Sequence, residues 1–158
     1  MSRQLWLLRH GDAEPHGTGP DALRALTEKG RGQSLAAGRA LKRLAVDFEA
    51  IWVSPRKRAV ETAWLAAGEL GLSPRVHQPL HAGFARADAE ELLAAAGPHA
   101  RILLVGHEPD FSQLVYDFTG GRVDVKKGGI AALRSPHEEL LVLLRPREIE
   151  ALAAAVGG

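Results

Sequence analysis

Short apolar runs alternate along this chain with stretches of helical periodicity, and the strongest runs stop at glycine, proline or histidine. Residues 4–9 run into His10-Gly11-Asp12, residues 50–54 into Pro55, and residues 101–105 into Gly106-His107. Such runs, without polar alternation, read as strands covered on both faces. Thr27 is placed to cap a helix over 28–45, with Leu35, Leu41 and Leu44 on one side, although Gly30, Gly32 and Gly38 weaken its helical propensity. Pro55 opens a helix over 56–70 that Gly71 ends. A short strand is expected at 74–77, a helix at 87–96, and a helix from Pro109 to about Gly120-Gly121. Strands at 130–134 and 139–144 read as a hairpin around Ser135-Pro136, and a helix over 146–156 closes the chain. The alternation predicts one α/β domain over 1–158, a three-layer sandwich. Its central sheet is mostly parallel, with helices on both faces and one antiparallel edge strand.

Composition removes several kinds of chemistry. The chain has no cysteine, so it has no disulfide framework, thiolate metal site or cysteine nucleophile. Its formal net charge is +1, which argues against a nucleic-acid binder working through bulk positive charge. No stretch approaches the roughly 18 apolar residues of a membrane span. The N-terminal apolar run meets charge almost at once and does not read as a signal peptide. The expectation is a cytoplasmic protein without membrane association, and nothing in the sequence demands more than a monomer.

In open α/β folds, ligands bind beyond the carboxyl ends of the strands. Here those ends carry Arg9-His10-Gly11, then Ser54-Pro55 with Arg58 one helical turn on, and Gly106-His107. Two arginines and two histidines therefore converge on one edge. Guanidinium forks match phosphate oxygens and stay charged. A neutral imidazole can attack phosphorus and form a phosphohistidine. Neighbouring cations disfavour protonation of that imidazole. Gly11 would let the backbone approach the phosphate, and the helix after Pro55 would add its positive end. His16, His77, His99 and His137 read as ordinary loop histidines.

These residues also carry a family resemblance. Leu8-Arg9-His10-Gly11-Asp12 resembles the signature of the histidine phosphatase superfamily. Ser54-Pro55-Arg56-Lys57-Arg58-Ala59 with Thr62 is similar to its second motif, and Val105-Gly106-His107-Glu108-Pro109 to its third. With Arg24-Ala25-Leu26-Thr27 and the short length, the chain most resembles the small SixA-type phosphohistidine phosphatases. The resemblance implies His10 as nucleophile, with Arg9, Arg58 and His107 forming the phosphate pocket and Gly11 and Arg24 contacting substrate. It implies no metal and no cofactor. Arg56 is expected to be exposed.

Larger members carry a carboxylate general acid in the segment after the third strand. Here that segment, 78–84, has none, and His81, Asp88 and Glu90 are the nearest candidates. A phosphohistidine P–N bond needs little proton assistance, so the substrate is expected to be a phosphohistidine protein. The alternative is a small phosphorylated metabolite such as a sugar phosphate. Glu108 would trim anion affinity or orient His107. Lys126-Lys127 reads as a solvated turn or as a basic rim for an acidic substrate. A metal-dependent phosphoesterase using His10, Asp12, His107 and Asp110, and a non-catalytic phosphate-binding module, are the remaining readings.

Overall fold

The computed structural model describes residues 1–155 of the chain. Six strands form one sheet: β1 (Arg3–Arg9), β2 (Ala50–Val53), β3 (Arg75–Val76), β4 (Arg101–Gly106), β5 (Ile130–Ser135) and β6 (Glu139–Leu144). Their spatial order is β3-β2-β4-β1-β5-β6. The first four are mutually parallel, and β5 pairs antiparallel with both β1 and β6. The antiparallel edge is thus a hairpin. The strand running against the rest is β5, one position in from the margin.

Alternation of side chains along the strands supplies two apolar faces. Trp6, Leu8, Ile51, Val53, Leu103 and Val105 point to one face. There they meet α1 (Glu28–Arg43), α2 (Lys57–Leu70) and α5 (Pro146–Ala154). Leu5, Leu7, Ile102 and Leu104 point to the other, against α3 (Arg86–Ala95) and α4 (Asp110–Thr119). The three layers expected from the alternation are therefore present. The expected last helical residue, 156, lies outside the described residues.

Two of the glycines that weaken α1 on propensity have a packing reason. A Cβ on Gly38 would come within 2.6 Å of the Ala66 carbonyl oxygen in α2, and one on Gly30 within 2.0 Å of the Asp12 carbonyl oxygen. The helix gives up intrinsic stability so that α2 and the loop after β1 can approach its backbone. Thr27 caps it as expected, its hydroxyl accepting from Gly30 N–H at 3.1 Å. Among the described residues, no helix is long and apolar enough to cross a membrane.

Candidate active site

Parallel register brings the strand ends level. Arg9 pairs with Gly106 and Val53 with Val105, so the next residues, His10, His107 and Ser54, emerge side by side. His10 N–H bonds the Gly106 carbonyl at 3.0 Å, and Ser54 N–H bonds that of Val105 at 3.0 Å. The His10 and His107 ring centroids lie 5.2 Å apart. Arg58, in the first turn of α2, enters the same space with a side chain only 4% exposed.

Each side chain is held on one side. His10 Nδ1 lies 2.7 Å from the Gly11 carbonyl oxygen, which can only accept. The proton is therefore on Nδ1, and Nε2 keeps its lone pair. His107 Nε2 lies 2.7 Å from Ser54 Oγ. That oxygen already accepts Arg56 N–H at 3.2 Å, and among the described residues His107 Nε2 is the one acceptor bonded to its buried O–H. Ser54 therefore donates to Nε2, and the His107 proton sits on Nδ1. Arg9 Nη1 donates to the Val125 carbonyl at 3.0 Å. Arg58 Nη1 donates to the Asp21 carbonyl at 2.9 Å, and its Nη2 to Asp21 Oδ2 at 3.3 Å.

What these anchors leave over is specific. Among the described residues, the buried side-chain polar atoms without a hydrogen-bond partner are Arg9 Nε, Arg58 Nε and His107 Nδ1. All three carry a hydrogen, and all three belong to the residues grouped with His10. Orphaned buried donors are costly, and a cluster of them marks a place built to receive acceptors.

The electrostatics agree. Burial, then the charges of Arg58, Arg9 and Lys127, push the His10 pKa down to about 4, against the pull of the Gly11 carbonyl. Burial, then His10, Arg58 and Arg56, push that of His107 down to about 3. Both imidazoles are neutral at pH 7. Burial works to raise the Asp21 pKa, but the Arg24 hydrogen bond and the Arg58 charge hold the carboxyl below its ordinary value.

The pocket has a volume of about 590 Å³. Arg9, His10, Arg24, Arg58 and His107 all line it. Gly11 does not. It is buried behind His10, where a Cβ would meet the Gly30 carbonyl oxygen at 2.6 Å. Its missing side chain accommodates α1, and its contribution to the site is the carbonyl that holds His10. Arg56 is not the exposed residue expected. It lines the pocket, and its Nη1 donates to Asp21 Oδ2 at 3.2 Å.

The candidate acids fall elsewhere. Asp88 accepts Ala85 N–H at 2.8 Å at the start of α3, Glu90 accepts from Arg86 Nε at 2.8 Å, and His81 is exposed outside the pocket. Glu108 does not orient His107. It accepts Ser112 N–H at 2.8 Å and the Ser112 hydroxyl, serving the first turn of α4. The set needed by a metal centre does not assemble. Asp12 accepts from Thr27 Oγ1 at 2.7 Å, Asp110 accepts Phe84 N–H at 3.2 Å, and neither lines the pocket. Among the described residues, no three His, Asp or Glu side chains are grouped to hold an ion.

Sequence reasoning missed Glu14, His16 and Asp21, all on the loop after β1 and all lining the pocket. The available signal was the Asp21-x-x-Arg24 spacing, which the structure shows as an ion pair at 2.8 Å. Lys127 proves to be a rim residue, because Gly128 N–H bonds the carbonyls of Arg9 and His10 at 3.1 and 3.0 Å and pins the 126–129 turn to the site.

The model of the histidine phosphatase superfamily (branch 1) matches residues 5–82. An uncharacterised protein of a Picosynechococcus strain is 37% identical, over 91% of this chain and 97% of its own. A SixA protein histidine phosphatase solved with tungstate superposes with a TM-score of 0.80 at 25% identity, over 92% of this chain and 99% of that one. A mycobacterial glucosyl-3-phosphoglycerate phosphatase shares the fold at a TM-score of 0.73 and 18% identity, over 92% of this chain and 100% of that one.

Proposed function

This chain belongs to the histidine phosphatase superfamily, and on that premise we propose that it hydrolyses phosphohistidine in a protein through a phosphorylated His10, without a metal. The observation that carries this reading is the trio of buried, unpartnered donors, Arg9 Nε, Arg58 Nε and His107 Nδ1, around a neutral imidazole whose Nε2 is free. A phosphoryl group offers three equatorial oxygens, and these donors can take them without reorganisation as charge develops. The tungstate on the SixA relative is a tetrahedral oxyanion of the same kind.

His10 Nε2 attacks phosphorus as the P–N bond to the substrate imidazole breaks. When the other nitrogen of that imidazole carries a proton, the leaving group departs neutral. Water then attacks the phosphorus on His10, releasing inorganic phosphate and restoring the imidazole. Two of the three pocket carboxylates support a substrate that needs no strong acid. Asp21 is held ionised among arginines, and Glu108 accepts twice from Ser112.

One observation favours the alternative, a small phosphomonoester. Glu14 lines the pocket; one carboxylate oxygen accepts Ala25 N–H at 2.7 Å, and the second makes no hydrogen bond among the described residues, so it is placed to protonate an alcohol. Rates with EDTA present, on a phosphohistidine protein and on a panel of phosphomonoesters, separate the two readings. Faster phosphohistidine turnover that His10→Ala abolishes is the expected result. Faster monoester turnover that Glu14→Gln removes would favour the alternative, and loss of all activity with EDTA would overturn metal independence.

A further inference from the structure

Beside the catalytic pocket lies a second recess of about 520 Å³, between the start of α1, the 126–129 turn and the start of α5. Arg9 and Lys127 line both. Lys29, Lys126 and Arg147 add three further cations to its wall, against the carboxylates of Asp12 and Glu150. Lys126 is paired with Asp124, and Lys127 lies 3.6 Å from Asp12. Lys29 and Arg147 are exposed, and neither forms an ion pair among the described residues. The whole chain carries a net charge of only +1, so this excess is local.

We infer that this recess is a docking surface for acidic side chains flanking the phosphorylated histidine of a protein substrate. The inference rests on the phosphohistidine-protein reading above and says how such a substrate is selected. The form of the recess favours a protein surface over the second phosphate of a small molecule. A phosphate site gathers buried, convergent donors, as the catalytic pocket does. Here the free cations are solvated and spread over two helix starts, an arrangement suited to several carboxylates at once. Each exposed pair contributes little by itself. Together they raise the rate of productive encounter and set its dependence on ionic strength. Arg9 and Lys127 belong to both recesses, so an acidic patch seated here would lie directly beside the phosphoryl group.

The test is the double charge reversal Lys29→Glu/Arg147→Glu in the full chain. Both residues lie outside the catalytic pocket. The substrates are an acidic phosphotransfer protein phosphorylated on histidine, the small compound phosphoimidazole and a bisphosphorylated sugar. For the phosphoprotein, kcat/KM is expected to fall roughly tenfold at low salt and to lose most of its salt dependence. For phosphoimidazole it should stay within about twofold. Equal losses on both substrates, or no loss on either, would overturn the docking surface. A loss confined to a bisphosphorylated metabolite would overturn the choice of partner. If the wild-type protein releases phosphate from monoesters but not from phosphohistidine, the underlying reading fails instead, and the wild-type rates alone reveal that.

Discussion

Asp21 grips Arg58 twice, through its carbonyl oxygen on Nη1 and its carboxylate on Nη2, and leaves Nε without a partner. The same carboxylate also takes Arg24 and Arg56. It therefore orients Arg58 while competing, as an anion, for the guanidinium groups a phosphoryl group needs. Asp21→Ala is expected to bind the phosphate analogue vanadate about fivefold tighter, the order of one half-exposed charge about 4 Å away screened as in water. It should lower kcat, because Arg58 loses its setting. Inhibition constants and kcat on one substrate check this. Weaker vanadate binding would mean that Asp21 prepares the arginines and does not compete.

Ser54→Ala tests the proton arrangement on His107. Without the hydroxyl at Nε2 the imidazole is free to move its proton there, and the Nδ1–H donor is lost. We expect kcat to fall roughly tenfold or more with KM little changed. Nitrogen NMR should show Nε2 of His107 unprotonated in the wild-type protein and protonated in the variant. An unchanged tautomer would remove Ser54 from the catalytic account.

Arg58→Lys keeps the charge and loses the fork. A lysine cannot hold Asp21 with two nitrogens and offer a third to a phosphoryl oxygen. The expected cost is roughly 10²-fold in kcat/KM. A loss below about threefold would move the role to Arg56, which shares the pocket.

The pH dependence follows from His10. Its pKa is about 4 in the folded chain, below the ordinary 6.5. The nucleophile therefore stays deprotonated well into acid, and the acid limb of kcat/KM should lie nearer 4 than 6.5. The unfolded chain binds the proton first, so the stability from keeping His10 neutral is complete above pH 6.5. It is lost as pH falls toward 4. A proton NMR titration of His10, with melting temperatures over that range, checks both. A midpoint near 6.5 would sink this prediction.

Gly30 and Gly32 form a matched pair on α1. A Cβ at Gly30 overlaps the Asp12 carbonyl, whereas nothing lies within 4 Å of one at Gly32. Gly30→Ala should destabilise by about 2 kcal/mol or more through a forced shift of the loop that follows His10. Gly32→Ala should stabilise by up to about 1 kcal/mol through helical propensity alone. Chemical denaturation of the two variants decides between close packing and mere tolerance as the reason for Gly30.

Local patterning carries the strands, their ends and the helix caps. Apolar runs such as 4–9 and 101–105 read as strands covered on both faces, and their ends fall at Arg9-His10 and Gly106-His107. That much places the two histidines and Arg58 on one sheet edge. Caps such as Thr27 and Gly71 are equally local, since each satisfies backbone groups within a few residues. The tertiary structure alone decided which donors are spent and which are left. Arg9 is anchored by Val125, 116 residues away, Arg58 by Asp21 and His107 by Ser54. Such pairings have no period in sequence, because they depend on how a 126–129 turn and a 12–26 loop fold over the strand ends. The same reason explains Gly11, which reads as a phosphate contact in sequence and is a helix contact in space. It also explains Arg56, whose place in the pocket is set by Asp21 across 35 residues of chain.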